Sequence, residues 1–128
     1  MSVIHHFSGD TTEGKYAWEG VQPVTINTDE VQGIFKHILI GPDDGAPNFI
    51  IRYFQVPVGS QTFNHQHAHE HGMLILHGSA KIQLGESLHE LNPLDSVFVS
   101  CDDMHQVINT GDEPLGFLCV IPRDAKET

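Results

Sequence analysis

An all-β fold is predicted by three observations on this 128-residue sequence. The apolar runs are short, and none shows a helical period over a stretch long enough to form a stable helix. Turn-forming residues separate these runs at close intervals, as in the Gly-Pro-Asp-Asp-Gly segment after Ile40. Because so many short strands would otherwise leave exposed edges, we expect the sheets to close into a jelly-roll barrel.

The predicted strands follow one another from residue 34 onward. The first covers Ile34 to Ile40 and the second covers Phe49 to Val58, and both contain many of the β-branched and aromatic residues that strands favour. A third strand is expected to carry His65 and His67. The remaining strands are expected at Gly72 to His77, Lys81 to Leu84, Leu88 to Leu91, Ser96 to Ser100, Met104 to Asn109 and Leu115 to Ile121.

The spacing of four histidines indicates a metal site in this barrel. His65 and His67 stand two residues apart, so on a strand they share a face at a separation of ~7 Å. On a continuing strand His71 would lie ~20 Å beyond His65, too far for metal–nitrogen bonds of ~2.1 Å to bridge. We therefore expect a tight corner between His67 and His71, and we expect His105 to reach the same point from another strand.

The first histidine run resembles the first sequence motif of the cupin family, Gly-x5-His-x-His-x3,4-Glu-x6-Gly. Gly59, His65, His67 and Gly78 occupy the expected positions, while His71 stands where most of the family has glutamate. The His-x-His-x-x-Glu-His run of residues 65–71 is similar to that of small single-domain cupins that bind manganese or another divalent ion through four histidines.

The second cupin motif, Gly-x5-Pro-x-Gly-x2-His-x3-Asn, is matched in part. His105 and Asn109 are present, whereas Leu94, Ser100 and Asp102 replace the usual Gly, Pro and Gly. The resemblance implies an all-β cupin jelly-roll barrel, also called a double-stranded β-helix, of the RmlC-like type. It implies a single cupin domain over residues 1–128 with its core at 48–122. Residues 1–32 form a less regular segment that would supply a strand to a homodimer interface.

The ligand set that the spacing and the resemblance favour is His65, His67, His71 and His105. Two alternatives remain open for the fourth position. His69 would replace His71 if the strand ran on past the expected corner, and Glu70 would supply an oxygen if the corner were shifted. The other histidines are expected at solvated loop or strand positions, with His77 near the barrel mouth, and they are His5, His6, His37, His77 and His89.

Strand alternation also predicts which side chains surround the ion. Met73 and Ile75 share a face with His71, and Val107 shares a face with His105, so the wall should be mostly apolar. Such a wall suits a small molecule that coordinates the metal through oxygen. Arg52 is a candidate anchor for a carboxylate if it faces inward; the alternative is an outward Arg52 paired with an acidic residue.

The expected cofactor is one divalent transition metal ion. Manganese or iron is favoured, and zinc, nickel, cobalt and copper also accept nitrogen-rich ligation. Four neutral histidines would leave the ion its full charge and favour anionic ligands. We expect a metal-dependent enzyme on a small oxygenated or anionic metabolite, with dioxygenase-type oxidative cleavage ahead of isomerase or lyase chemistry. The alternative is a non-catalytic module that binds or senses a metabolite or metal.

Composition narrows the range of partners. Seventeen acidic and six basic residues give a formal net charge of −11, which disfavours nucleic acid and anionic membrane surfaces. No apolar run approaches the ~20 residues that a membrane span needs, and the first residues lack the pattern of a secretory signal, so a cytoplasmic location is expected. Cys101 and Cys119 are expected to be free thiols, and Cys101, four residues before His105, is not counted as a metal ligand.

Overall fold

The computed structural model describes residues 1–125, and this part of the chain contains nine strands. They are β1 (Val24–Ile26), β2 (Ile34–Ile40), β3 (Phe49–Val56), β4 (His71–His77), β5 (Ala80–Leu84), β6 (Ser87–Leu91), β7 (Ser96–Val99), β8 (His105–Asn109) and β9 (Leu115–Pro122). Helical structure within residues 1–125 is confined to two short 3-10 turns, Thr11–Glu13 and Pro42–Asp44. None of the helices described there is long and apolar enough to cross a membrane.

The strands form two antiparallel sheets, which confirms the predicted all-β class. The larger sheet has the order β1-β2-β3-β9-β4-β7, and the smaller has the order β6-β5-β8. The last strand, β9, pairs with β3 on one side and with β4 on the other. Side chains on the inner face of β9 therefore lie between those of β3 and β4, an arrangement that brings distant parts of the sequence to one wall.

The hydrophobic core contains side chains of both sheets, and its pattern follows the predicted alternation. On β4 the buried residues are His71, Met73 and Ile75, and on β8 they include His105 and Val107. The fully buried large side chains are Tyr53, Ile75, Ile82, Leu115, Ile121, Val31, Val56, Val99 and Val107. Each buried aliphatic side chain contributes about 1.5–3 kcal/mol relative to an exposed one, so the apolar faces determine which way the histidines point.

The segment that carries His65 and His67 differs from the prediction, because it is not a regular strand. It approaches β8 through two isolated bridges, between Gln61 and Ile108 and between His65 and His105. Between these bridges side chains replace part of the backbone ladder. The Thr62 hydroxyl accepts a hydrogen bond from the Val107 N–H at 2.9 Å, and the Gln106 amide donates to the Thr62 carbonyl at 2.9 Å.

The turns that flank β7 keep a conformation that normally needs glycine. Leu94 has φ 74° and Asp102 has φ 65°, and they are the only non-glycine residues with positive φ in residues 1–125. Both occupy positions where the cupin motif has glycine. The Leu94 N–H donates to the Ile75 carbonyl at 2.7 Å, and the Asp102 N–H donates to the His67 carbonyl at 2.6 Å. These turns therefore hold β4 and the His67 segment in place.

The N-terminal segment packs on the face of the large sheet opposite the cavity. Tyr16 stacks on the His77 ring at 4.3 Å between centroids and on Tyr53 at 5.3 Å. Trp18 contacts the ring of His37 edge-on at 5.6 Å. His37 is consequently only 4% exposed, and the prediction that it is solvated is wrong. Its burial depends on aromatic residues nearly twenty positions earlier in the chain, which no local pattern reveals.

Candidate metal centre

A cavity of about 70 Å³ lies at the inner face of the large sheet. This volume corresponds to roughly five water-sized spheres, which suits an ion with a small ligand. Its wall combines histidines with apolar side chains and one arginine. The lining residues are Ile26, Ile34, Arg52, Phe54, Thr62, Phe63, His65, His67, His71, Met73, His105, Val107, Phe117 and Cys119.

Three imidazole rings form a triangle at this cavity. The ring centroids of His67 and His71 are 5.1 Å apart, those of His67 and His105 are 5.3 Å apart, and those of His71 and His105 are 4.8 Å apart. His65 lies beside this group, with its centroid 5.0 Å from that of His67. The structure thus brings together all four histidines that the sequence singled out.

The fold explains how residues so far apart in sequence meet. The chain bends at Ala68 and His69, and β4 begins at His71, so the structure contains the predicted corner. His105 is the first residue of β8, and its backbone exchanges two hydrogen bonds with that of His65, at 2.9 and 2.8 Å. Phe63 stacks on the His65 ring at 4.8 Å and fixes its plane.

His69, the alternative to His71, also lies close to the group. Its ring centroid is 4.8 Å from those of both His67 and His71, and the ligand nitrogens of these three histidines all lie within 4.8 Å of one another. The structure therefore brings five histidines together rather than four. Glu70, the other alternative, is exposed, and its carboxylate is not among these clustered donors in the described chain.

Two of the rings are prepared to present a lone pair. The carbonyl of Asp103 lies 3.0 Å from His105 Nδ1; because a carbonyl only accepts, Nδ1 carries the proton and Nε2 has the lone pair. His71 is 6% exposed, and no hydrogen-bond partner within residues 1–125 reaches its Nε2. A buried polar atom of this kind is rare without a ligand, so the donor set fits a divalent transition metal.

Burial favours the neutral form of His65, His67 and His71, because it lowers the pKa of each ring. Desolvation, supported by neighbouring histidines and Arg52, lowers the pKa of His67 to about 4. Desolvation, followed by the charges of His105 and Arg52, lowers the pKa of His71 to about 3. Desolvation also lowers the pKa of His65. A metal ligand must be unprotonated, so the site is in its binding form at neutral pH.

The cavity wall agrees in most respects with the parity prediction. Met73 and Val107 line the cavity, whereas Ile75 is fully buried in the core and does not contribute to the lining. Arg52 faces inward and is 4% exposed, which answers the question that the sequence left open. Its guanidinium lies 4.9 Å from the centre of the Phe54 ring. The wall therefore carries a fixed positive charge beside the histidines.

Comparison with known proteins agrees with this geometry. The family model described as a cupin domain matches residues 52–121, more than half of the chain. The chain belongs to the cupin family. Its two antiparallel sheets form the family's jelly-roll barrel, and the RmlC-like type of that barrel is the one expected from sequence.

Three similar proteins illustrate the relationship. The 1-methylthio-D-xylulose 5-phosphate methylsulfurylase of Rhodospirillum rubrum is 27% identical over 85% of this chain and 70% of its own length. A crystal structure of a cupin-2 domain from the same organism is 27% identical, with a TM-score of 0.81 over 89% of this chain and 77% of the other. A cupin-2 domain protein of Halorhodospira halophila is 30% identical, with a TM-score of 0.71 over 98% and 81%.

Cys119 is one of the residues of this cupin's cavity that sequence reasoning did not select, and it contacts a proposed ligand. It is 3% exposed and lies between Arg52 and His71, with its Sγ 3.1 Å from Arg52 Nη2 and 3.2 Å from His71 Nδ1. Alternation along β9 offered a signal, because Cys119 shares a face with the buried Phe117. Both cysteines are free thiols, as predicted, and Cys101 is exposed.

His77 occupies a different environment from the one predicted. Its Nδ1 donates to the Pro114 carbonyl at 3.0 Å, so its Nε2 accepts a hydrogen bond of 2.6 Å from the Tyr53 hydroxyl. Burial lowers the pKa of His77. This histidine belongs to the aromatic cluster under the N-terminal segment, away from the lining of the cavity, and takes no part in the candidate metal centre.

Proposed function

We propose that this cupin binds one divalent transition metal ion through His65, His67, His71 and His105 and acts as an enzyme on a small anionic, oxygenated metabolite. The observation that carries the proposal is the convergence of imidazoles on one cavity, where the Nε2 of His71 is buried with no hydrogen-bond partner in residues 1–125. Manganese or iron is the proposed ion, and zinc, nickel, cobalt or copper would fit the same donors.

We place His71 ahead of His69 in the proposed ligand set because of its position, since the Nε2 atoms of both are buried with no hydrogen-bond partner in residues 1–125. His71 begins β4, and the pairing of that strand with β7 fixes its backbone. His69 lies in the bend, and its Nδ1 is 3.4 Å from the Glu70 carbonyl, a longer contact than the 3.0 Å that orients His105. A ligand on a strand is positioned more accurately than one in a bend.

The chemistry of the proposed site follows from charge. When bound, the metal supplies a Lewis acid that polarises a substrate oxygen. Because all four donors are neutral, no protein carboxylate offsets the charge of the ion, and the site favours anions. Arg52 offers a second positive group in the same cavity and would hold a carboxylate or phosphate. Met73 and Val107 exclude water from the bound molecule.

Two reaction classes are consistent with these groups. We favour oxygen-dependent oxidative cleavage, with isomerase or lyase chemistry on a sugar or keto acid as the second class. The curated relative named above is named for a sugar-phosphate substrate, which supports an anionic substrate here as well. No carboxylate lines the cavity in the described residues. A histidine that binds the ion has no lone pair left for a proton, so the substrate itself would have to supply the proton acceptor.

The test begins with the metal-free protein reconstituted separately with manganese and with ferrous iron. Oxygen uptake with 2-oxo acids and diketones, and conversion of sugar phosphates without oxygen, distinguish the two classes. Metal content is measured in parallel for His71→Ala and for its matched control, His69→Ala. We expect His71→Ala to lose the ion and His69→Ala to keep it; the reverse result would place His69 in the ligand set.

The alternative function is a non-catalytic module that uses the same cavity to bind a metabolite or a metal. It would give ligand-induced stabilisation, measured as a rise in Tm, without turnover of any compound under either metal. Less than a tenth of an equivalent of metal after purification without chelator would contradict the metal-dependent enzyme and favour a purely structural barrel with an empty site. The net charge of −11 disfavours nucleic acid as a partner in either case.

We further propose a single domain over residues 1–128 that forms a homodimer and works in the cytoplasm. The outer face of the large sheet supports the dimer, since Phe98 and Val120 are 65% and 38% exposed and both pair with Gly72 across neighbouring strands. Gly72 adds no side chain between them, so both apolar side chains are open to a partner on this face. Light scattering gives the mass directly, and a monomer at micromolar concentration would contradict the dimer.

A further inference from the structure

Cys119 lies on β9 at a position from which its side chain reaches both Arg52 and His71. Its Cα pairs with that of Arg52 on β3 and with that of Met73 on β4, and the three side chains line the same cavity. His71 lies two residues before Met73 and points to the same face. Pairing on both sides fixes the backbone of Cys119, so its sulfur has little freedom to move.

The contacts of the sulfur define its role as a hydrogen-bond acceptor. Arg52 Nη2 is 3.1 Å from Sγ, and a guanidinium only donates, so Sγ accepts from Arg52. His71 Nδ1 is 3.2 Å from the same sulfur. An imidazole nitrogen either donates or accepts, and the choice at Nδ1 determines what remains at Nε2.

His71 can bind a metal through Nε2 in only one of these two arrangements. Nε2 is the ring nitrogen that has no hydrogen-bond partner in the described chain, and the His71 side chain lines the cavity. Binding a cation there requires a lone pair on Nε2, so the proton must be on Nδ1. The Nδ1–H then donates a hydrogen bond to Cys119 Sγ. In the opposite arrangement the thiol would donate to Nδ1, and Nε2–H would face the ion.

We infer that Cys119 is a positioning residue that holds the His71 ring and its Nδ1–H tautomer ready for the metal, and that Arg52 holds the sulfur in place. The inference rests on the proposed metal site. Ligating histidines usually give their second N–H to a carboxylate, a carbonyl or water, and losing that partner weakens metal binding 10–100-fold. In this cupin the Cys119 thiol accepts the second N–H of His71, and the Asp103 carbonyl accepts that of His105.

The experiment compares Cys119→Ala, Cys119→Ser and the exposed control Cys101→Ser. Affinity for cobalt(II) is measured by optical titration of the metal-free proteins. We expect Cys119→Ala to weaken binding by about 10–100-fold and Cys119→Ser to restore most of it, because a hydroxyl also accepts a hydrogen bond. Cys101→Ser should bind as the unaltered protein does. Equal affinity in Cys119→Ala and Cys101→Ser would overturn the inference and leave the metal site standing.

A second measurement keeps the inference testable if Cys119→Ala fails to fold or if no metal binds. Nitrogen-15 chemical shifts of the metal-free, unaltered protein report which nitrogen of His71 carries the proton. We expect Nδ1–H, and a predominance of Nε2–H would overturn the inference. Absence of cobalt binding together with Nδ1–H would contradict the proposed function alone, because the thiol would still hold the ring in the inferred tautomer.

Discussion

Leu94 and Asp102 adopt a left-handed backbone in which residues with side chains are strained. The cost for a non-glycine residue is roughly 1–2 kcal/mol, and asparagine and aspartate tolerate it best. Leu94 precedes β7 and Asp102 precedes β8, the strand that begins at His105, and both donate backbone hydrogen bonds that anchor neighbouring segments. The turn geometry is therefore retained here without the glycines of the cupin motif, and the surrounding contacts stabilise it.

Replacing Leu94 tests this strain. Leu94 is 74% exposed, so truncation removes little packing. We expect Leu94→Gly to be more stable than Leu94→Ala by about 1 kcal/mol, because glycine removes the left-handed strain while alanine keeps it. Urea unfolding of the metal-free proteins measures the difference. Equal stability of the two variants would mean that the turn is not strained.

Residues differ in how far the sequence reveals their place. The spacing of His65, His67 and His71 is a local property, whereas His105 was identified from its place in the second cupin motif, and the cavity lining contains all four. The inward direction of Arg52 depends on the pairing of β3 with β9. The proximity of Cys119 to His71 depends on the order β3-β9-β4. Strand order joins residues 48 positions apart, and no local pattern specifies it.

At the scale of elements, β4 pairs with β9 at His77 and Gly116. A Cβ on Gly116 would overlap the imidazole of His77. The ring cannot easily move away, because it is hydrogen-bonded to Tyr53 and Pro114 and stacked under Tyr16. Because Gly116 has no side chain, the imidazole of His77 can pack against β9 within the aromatic cluster under the N-terminal segment.

Gly116→Ala should therefore lower the free energy of unfolding by about 1–3 kcal/mol, the usual cost of forcing extra volume into a packed site. Gly72→Ala is the matched control on β4, since a Cβ there meets nothing within 4 Å, and we expect a change within about 0.5 kcal/mol. In a His77→Ala background the Gly116→Ala change should nearly vanish. An unreduced effect in that background would show that His77 is not the obstacle.

The sequence predicted most strands, because their apolar alternation is local, and the described structure contains eight of them within a few residues of the expected bounds. Two elements were not predicted. Strand β1, Val24–Ile26, is too short to show a period. The packing of the N-terminal segment on Tyr53 arises from aromatic contacts between remote residues. The corner before β4 was predicted because metal distances required it, and the chain does bend at Ala68 and His69.

At the scale of the whole molecule, buried neutral histidines make stability depend on pH. The folded pKa of His71 lies at about 3, below the ordinary value of 6.5. Between these two pKa values the unfolded chain therefore binds more protons than the folded protein does. The free energy of unfolding consequently decreases as pH falls. From pH 7 to 5 we expect the metal-free protein to lose roughly 2 kcal/mol through His71 alone. Chemical unfolding at the two pH values measures it, and unchanged stability would contradict the burial of neutral rings.

The contribution of His5 to stability has the opposite pH dependence, because it decreases as pH rises. Its Nε2 lies 2.6 Å from an Asp44 carboxylate oxygen and its Nδ1 lies 2.8 Å from the Glu19 carbonyl, so both contacts are hydrogen bonds when the ring is protonated. The hydrogen bond to Asp44 raises the pKa of His5 above 6.5. This contribution is present below pH 6.5 and is lost as pH rises through the raised pKa. His5→Gln should remove this loss of stability at raised pH. The rate of proteolysis within residues 1–20, measured against pH, tests it, and the same pH profile in His5→Gln as in the unaltered protein would contradict the contact.

The central claim is that this cupin gathers imidazoles from three segments of the chain around one metal ion. A crystal structure of the protein grown with manganese, with anomalous data collected on both sides of the metal's absorption edge, tests it most directly. We expect one anomalous peak in the cavity, with nitrogens of His65, His67, His71 and His105 at about 2.1 Å. Imidazoles in the same cavity with no common anomalous peak among them would contradict the claim.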